Sequence, residues 1–379
     1  MRNFAIAAGA LLAASSASAQ FTQCGGIEYN GATTCSAGLT CAYINDYWWN
    51  CIPTSMTTLL PLPPTGITAI PTGNPPSVSL PDAPSQTPRP PATGVTSMPS
   101  GPTGTTNYLV SFGDSYSQTG FDPDGTLAND QNPLGNPEFP GWTTSGGRNW
   151  IGYLLSAFNS SVLWNYNFAD GGATTSAELI EPYEPTVQSF VDQVQLFRQG
   201  VSAHPYEAPW SSANTLFAVW MGVNDVGNGW YRDDWDGLVP QIMDVYFDQL
   251  DLMYDVGGRN FALLNVPPIN RSPMMQEQGA ASADSEADAI TQYNAALSAA
   301  AAAWQSEHPG TNVVMVDTQR PFNTAMDDPS AYGAENASCY DEDGETCLWW
   351  NDYHPAMAIH RLVAGAVAEA YGGPFFTAE

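Results

Sequence analysis

Ser115 is the side chain whose setting most suggests chemistry. It ends the apolar run Tyr108–Phe112 in the sequence Gly113-Asp114-Ser115. A short buried strand that breaks into a glycine turn lifts a hydroxyl out of the sheet edge, where an electrophilic carbonyl can reach it. Gly-Asp-Ser also marks ordinary turns, so the assignment depends on partners elsewhere in the chain. A serine nucleophile needs a base, and the oxyanion it creates needs hydrogen-bond donors aimed at the developing charge. Three later segments supply them: Ala169–Thr174 with Gly172, Gly222-Val223-Asn224-Asp225, and Trp349–Pro355 with His354. A hydroxyl, a close-approach glycine, a side-chain amide and an imidazole are the parts of acyl transfer. Of the four histidines, His204 and His308 precede prolines in polar connecting segments and read as surface residues. His360 falls more than a turn past His354 in the last predicted helix, as a packing or surface residue.

The elements that must hold these residues are legible as short apolar runs alternating with helical periodicity. Strands are expected at Tyr108–Phe112, Leu163–Phe168, Leu216–Met221, Phe261–Val266 and Val313–Val316. Val187, Phe190, Val191, Val194 and Phe197 share one helical face that stops at Gly200. A second helix is expected from about Pro240 to Tyr254, and an Ala-rich third from about Glu286 to Trp304. Such alternation specifies an α/β domain with a mainly parallel sheet, whose chemistry gathers in the loops beyond the strand C-termini.

In that order the blocks GDS, GGAT, GVND and the His354 segment resemble the GDSL, or SGNH, hydrolase superfamily over roughly residues 107–370. GGRNW (146–150) and GGRNFALLNVPP (257–268) are similar to it as well, and no G-x-S-x-G elbow is present. The resemblance implies a flavodoxin-like three-layer α/β/α fold with a parallel sheet. It implies Ser115 as nucleophile and His354 as base, with the oxyanion held by the Ser115 and Gly172 N–H groups and the Asn224 amide. Within the superfamily the chain looks most like the secreted fungal acetyl esterases of carbohydrate esterase family sixteen. That implies removal of O-acetyl groups from xylo-oligosaccharides, with polymeric acetylxylan open. A lipase or phospholipase of the same superfamily, or a catalytically dead wall-binding protein, are the alternatives. The family's Asp-x-x-His pattern is broken, because Asn351 stands three residues before His354 and Asp352 two before it. Asp352 shifts into place, Asn351 orients the ring by its amide oxygen, or a Ser–His pair acts alone. The reading leans to Asp352 and keeps Asn351 beside it.

Ahead of this domain, residues 1–19 read as a signal peptide: Arg2, an apolar stretch from Phe4 to Ala14, and Ala17-Ser18-Ala19 before a mature start at Gln20. Export places the six cysteines in an oxidising compartment, where they read as disulfides rather than metal ligands. Four of them, Cys24, Cys35, Cys41 and Cys51, crowd a segment of residues 20–52 too short to bury a core unaided; spacing alone allows three pairings. This segment resembles the fungal family-one cellulose-binding module, which implies Cys24–Cys41 and Cys35–Cys51. It also implies a cellulose-binding face of Phe21, Tyr47 and Trp48, with Asn45 and Asn50 contacting sugar hydroxyls. Cys339 and Cys347 remain, to bridge across the acidic loop before His354.

Residues 53–105 carry 14 prolines and, as charges, only Asp82 and Arg89. Such a stretch forms no packed core and reads as an extended tether, on the order of 160 Å at its limit, ahead of an esterase domain at 106–379. The formal charge of −29 rests on 38 acidic residues against nine arginines, with no lysine. Nucleic acid and anionic membranes are therefore not expected partners, and no stretch is long and apolar enough for a membrane helix. Metal-ligand spacing and phosphate-binding loops are absent from the sequence, so no cofactor and no metal are expected. The chain is expected to be a secreted monomer. Asn159, Asn336 and, more weakly, Asn270 begin glycosylation sequons.

Overall fold

The computed structural model describes residues 23–25, 33–35, 37, 39–43, 49–53 and 106–377. The chain divides into two units, residues 1–91 and 92–379. The expected signal peptide and nearly all of the tether lie outside the described residues. So do Phe21, Asn45, Tyr47 and Trp48, and the side chain of Asn50.

In the first unit β1 (Gln23–Gly25), β2 (Leu39–Tyr43) and β3 (Trp49–Pro53) form an antiparallel sheet in the order β1-β3-β2. Cys35 and Cys41 are both disulfide-bonded, as expected for a module too small to hold itself by a core.

All five strands expected of the second unit are present: β4 (Asn107–Gly113), β5 (Leu163–Asn167), β6 (Thr215–Trp220), β7 (Asn260–Leu264) and β8 (Asn312–Val316). They pair in parallel in the order β5-β4-β6-β7-β8. This is the doubly wound arrangement of flavodoxin-like sheets, with the reversal of strand order between β4 and β6. β4 and β6 are buried along their whole length, which explains why they read as continuous apolar runs. β5 carries Asn165 and Asn167, and their buried amides bond Ser111, the Leu109 carbonyl and the Ser117 carbonyl.

Helices cover both faces. α1 (Trp150–Ser156), α7 (Gln319–Asp327) and α8 (Met357–Tyr371) pack together. α2 (Phe190–Gln199), α4 (Trp235–Asp255) and α6 (Ala280–Glu307) form the other group, with the short α3 (Val223–Gly229) against α6 and α5 (Pro273–Glu277) beside it. α2 begins at Phe190, not at Val187, because Ser189 and Asp192 form a capping box there. α4 begins five residues before Pro240, which is accommodated inside its first turns. α6 extends the Ala-rich segment back to Ala280, just after Gly279 at φ +92°. The Cys339–Cys347 disulfide is present.

Candidate active site

The reversal point of the sheet places the ends of β4 and β6 side by side, with Gly113 opposite Trp220. Ser115 leaves β4 in a turn fixed by Asp114. Its Oδ1 accepts from the Tyr116 N–H at 2.9 Å, and its backbone carbonyl accepts from Ser117 and Gln118. Gly113 admits no side chain, since a Cβ there would lie 2.8 Å from the Trp220 carbonyl oxygen. Gln193 of α2 fastens the same residue, its amide accepting from the Gly113 N–H at 3.1 Å and donating to the Gly113 carbonyl at 2.8 Å. Thr144 donates to the Ser115 carbonyl at 2.8 Å, and Asn149, the N-cap of α1, donates to the Ser117 and Gln118 carbonyls. The GGRNW block therefore serves to pin the Ser115 turn.

His354 meets Ser115 across the cleft, with Nε2 2.8 Å from the Ser115 Oγ. Its Nδ1 lies 2.9 Å from Asn351 Oδ1. That oxygen also accepts from the Tyr353 N–H at 3.0 Å and the His354 N–H at 2.7 Å. Backbone N–H groups are obligate donors, so the Asn351 atom facing them is its oxygen. The ring nitrogen it faces must then carry hydrogen. The neutral tautomer has hydrogen on Nδ1 and a lone pair on Nε2, turned to the serine hydroxyl.

The expectation that leaned to Asp352 is thus corrected. Asn351, three residues before the histidine, makes the bond to the ring, because its turn points Oδ1 at both the backbone and the imidazole. The Asp352 carbonyl instead accepts from the Met274 N–H. Tyr116, wholly buried, links the Ser115 and His354 segments: its hydroxyl donates to the Tyr353 carbonyl at 2.6 Å and its ring packs edge-on against His354.

The third wall contains Gly172 and Asn224. Gly172 has φ +84°, a conformation that favours glycine, and a Cβ would collide with the Tyr183 ring. Neither its N–H nor that of Ser115 has an acceptor among the described residues. Asn224, in the first turn of α3, donates to the Ala173 carbonyl at 3.0 Å, which leaves one amide hydrogen for a ligand. Asp225 locks these two loops together. Its carboxyl oxygens each lie 3.0 Å from the Thr175 N–H, and Oδ2 accepts from the Thr175 hydroxyl at 3.1 Å.

Sequence reasoning missed Gln193, Asp225, Asn149 and Tyr116 as supports. Gln193 carried a signal, since it is a polar residue in the apolar stripe Phe190, Val194, Phe197. Trp349 is fully buried and belongs to the core, whereas Trp350 and Tyr353 are half-buried beside His354. His360 is buried, not superficial, and lies edge-on to Tyr116. His204 is exposed as expected, stacked on Trp210, whereas His308 is half-buried and pairs with Asp251 at 3.0 Å.

Desolvation governs the electrostatics. It lowers the His354 pKa from the ordinary 6.5 to about 4. Burial raises Asp114 to about 7 against the opposing bond from Tyr116, and raises Asp225 to about 7 against its bonds from Thr175. Burial also raises Glu286, whose two carboxyl oxygens lack hydrogen-bond partners, to about 8. No group of three or more His, Cys, Asp or Glu suited to a metal occurs among the described residues.

Fold and site define an α/β serine hydrolase of the SGNH type, and similarity to known proteins narrows the class. Residues 109–367 match the GDSL-like lipase/acylhydrolase family, and the chain belongs to it. Residues 20–48 match the fungal cellulose binding domain. An acetylesterase of Thermothelomyces thermophilus is 54% identical over 272 residues, covering 72% of this chain and 90% of that protein. A second acetylesterase, from Hypocrea jecorina, is 27% identical over 42% of this chain and 47% of its own length. Among solved structures, an acetylxylan esterase from Geobacillus stearothermophilus is 16% identical, with a TM-score of 0.42, over 70% of this chain and 94% of its own. The chain is an esterase with an N-terminal cellulose-binding domain.

Proposed function

We propose that this protein is a secreted carbohydrate acetyl esterase, which removes O-acetyl groups from hemicellulose-derived oligosaccharides while anchored to cellulose. The observation that carries the reading is the relay Ser115 Oγ to His354 Nε2 to Asn351 Oδ1, at 2.8 and 2.9 Å, in an acylhydrolase with a 54% identical acetylesterase relative. His354 takes the Ser115 proton as the oxygen attacks the ester carbonyl. The Ser115 and Gly172 N–H groups and the free Asn224 amide hydrogen receive the oxyanion. Collapse expels the sugar hydroxyl, protonated by His354. Water, activated by the same imidazole, then releases acetate and restores the serine.

Asn351 acts through His354: it holds the ring and its Nδ1–H tautomer but brings no charge to the imidazolium. In a serine protease, losing the carboxylate there costs about 10⁴ in rate, largely through the wrong tautomer. Here the two backbone N–H groups bonded to Asn351 Oδ1 keep that oxygen facing the ring, which preserves the tautomer without a carboxylate.

Residues 20–52 would bind cellulose through Phe21, Tyr47, Trp48, Asn45 and Asn50, and residues 53–105 would let the esterase domain of a monomeric enzyme search nearby wall. Ser115→Ala should abolish p-nitrophenyl acetate hydrolysis, and undiminished turnover would overturn the mechanism. Acetate release from acetylated xylo-oligosaccharides, compared with polymeric acetylxylan and with a chain lacking residues 20–105, tests the substrate. Release from neither carbohydrate would overturn the carbohydrate reading.

A further inference from the structure

Two side chains outside the acyl-transfer machinery lie against the adjacent glycines Gly171 and Gly172. Tyr183 lies on the segment between Ile180 and Val187, whose ends are fixed. The Thr174 hydroxyl donates to the Ile180 carbonyl at 2.8 Å, and the Gln188 N–H donates to the Asp170 carboxylate at 2.8 Å. The ring packs directly on Gly172, close enough that a Cβ there would stand 2.4 Å from Tyr183 Cδ1. It is nonetheless 54% exposed. The ring therefore covers Gly172 while keeping a large part of its surface open to solvent.

Gln118 occupies the neighbouring position. A Cβ on Gly171 would stand 2.7 Å from Gln118 Oε1 and 3.9 Å from Ser115 Cβ, so this amide and the nucleophile meet over the same glycine. The Gln118 backbone is held by Asp114 and Asn149, whereas its side-chain amide has no hydrogen-bond partner among the described residues. An aromatic surface on Gly172 and an uncommitted amide on Gly171, the latter glycine also next to Ser115, form a composition that recognises a pyranose. The C–H face of the sugar meets the ring, and a hydroxyl meets the amide.

We propose that Tyr183 and Gln118 form the sugar subsite of the esterase, binding the pyranose ring that carries the scissile acetyl group. Tyr183 stacks on its face, and Gln118 bonds a hydroxyl adjacent to the ester. This rests on the carbohydrate reading above. It assigns the body of the sugar to the Gly171–Gly172 side of Ser115, with its ester oxygen within reach of His354.

Two substrates separate the subsite from the machinery: an acetylated xylo-oligosaccharide, and p-nitrophenyl acetate, which has no pyranose. Tyr183→Ala should lower kcat/KM on the oligosaccharide about tenfold, mainly through KM, with less than a threefold change on p-nitrophenyl acetate. Gln118→Leu should give a loss of about threefold to tenfold with the same selectivity. Tyr183→Phe and Tyr183→Trp keep the cover over Gly172 and should retain oligosaccharide activity within about threefold. Equal losses on both substrates in Tyr183→Ala would mean that the ring only supports Gly172, and would overturn the subsite while leaving the carbohydrate reading intact. A wild-type enzyme that hydrolyses p-nitrophenyl acetate but releases no acetate from the oligosaccharide would overturn both. Unchanged oligosaccharide kinetics in Tyr183→Ala and Gln118→Leu would overturn the subsite alone.

Discussion

The two sides of the cleft are fastened by the same device in different chemistry. On the oxyanion side a buried carboxyl group, Asp225, gathers the Thr175 N–H and hydroxyl and so joins the Asn224 turn to the Gly172 loop. On the base side a neutral amide, Asn351, gathers two backbone N–H groups and the His354 ring. Asp225, its pKa raised by burial to about 7, can change its charge near neutral pH, whereas Asn351 cannot. A fixed neutral orienter leaves desolvation unopposed at His354 and so admits a neutral imidazole down to about pH 4. A titrating support near the oxyanion adds negative charge as it ionises, at about pH 7. The proposed base and oxyanion donors thus set opposite pH limits. Activity should rise as His354 loses its proton through about pH 4 and fall as Asp225 and Asp114 ionise through about pH 7.

The largest effect is expected of Asn351→Ala. This variant frees two backbone donors and the ring together, and kcat on p-nitrophenyl acetate should fall by about 10³ or more; a loss of under tenfold would mean that Asn351 is dispensable. Asn351→Asp should sharpen the contrast instead. A carboxylate can accept the same three hydrogen bonds, but its charge favours the imidazolium. The acid limb of the pH–rate profile should move up by about one to three units, so the variant loses activity at pH 4–5 relative to the natural enzyme. An unmoved limb would detach it from His354.

Asp225→Asn keeps an acceptor for the Thr175 N–H but removes the titration. The alkaline limb should move outward by a fraction of a pH unit, the remainder belonging to Asp114, while the acid limb stays in place. Smallest in its effect on catalysis is Glu286→Gln. The folded state holds the Glu286 proton up to about pH 8, whereas an unfolded glutamate releases it near 4.5. Between these values the folded chain binds more protons, so this group's contribution to stability declines as pH rises. Glu286→Gln should therefore leave kcat within about twofold, leave Tm unchanged near pH 4, and raise Tm by several degrees at pH 8. Equal Tm differences at both pH values would show that Glu286 does not titrate in this way.

Much of this molecule was legible in its sequence, and for identifiable reasons. The central strands β4 and β6 appear where continuous apolar runs lie, because a parallel sheet covered on both faces requires them, whereas β5 carries Asn165 and Asn167 within its run. The helix boundaries were less legible. Ser189 and Asp192 moved one start downstream through side-chain bonds, and Pro240 sits inside a helix it was expected to begin. The candidate nucleophile, base and oxyanion donors were found as types in order, since acyl transfer needs those groups and the loops after strand ends are where such groups meet. Gln193, Asp225 and Tyr116 were not found. Their value lies in bonds to residues 50 to more than 200 positions away in sequence, and no local pattern records such a bond.

The residue order is enough to set a hydroxyl, an imidazole, a glycine and an amide at the ends of buried segments in a parallel α/β domain. That much follows from local turn chemistry and apolar periodicity. Only the tertiary structure decided which of two adjacent residues orients the imidazole. Asn351 and Asp352 are equally able to bond a ring nitrogen, and the choice rests on how the turn aims each side chain. The packing that delivers Asn351 Oδ1 also desolvates His354. One folding event thus fixed both the tautomer of the base and the acidity it can withstand.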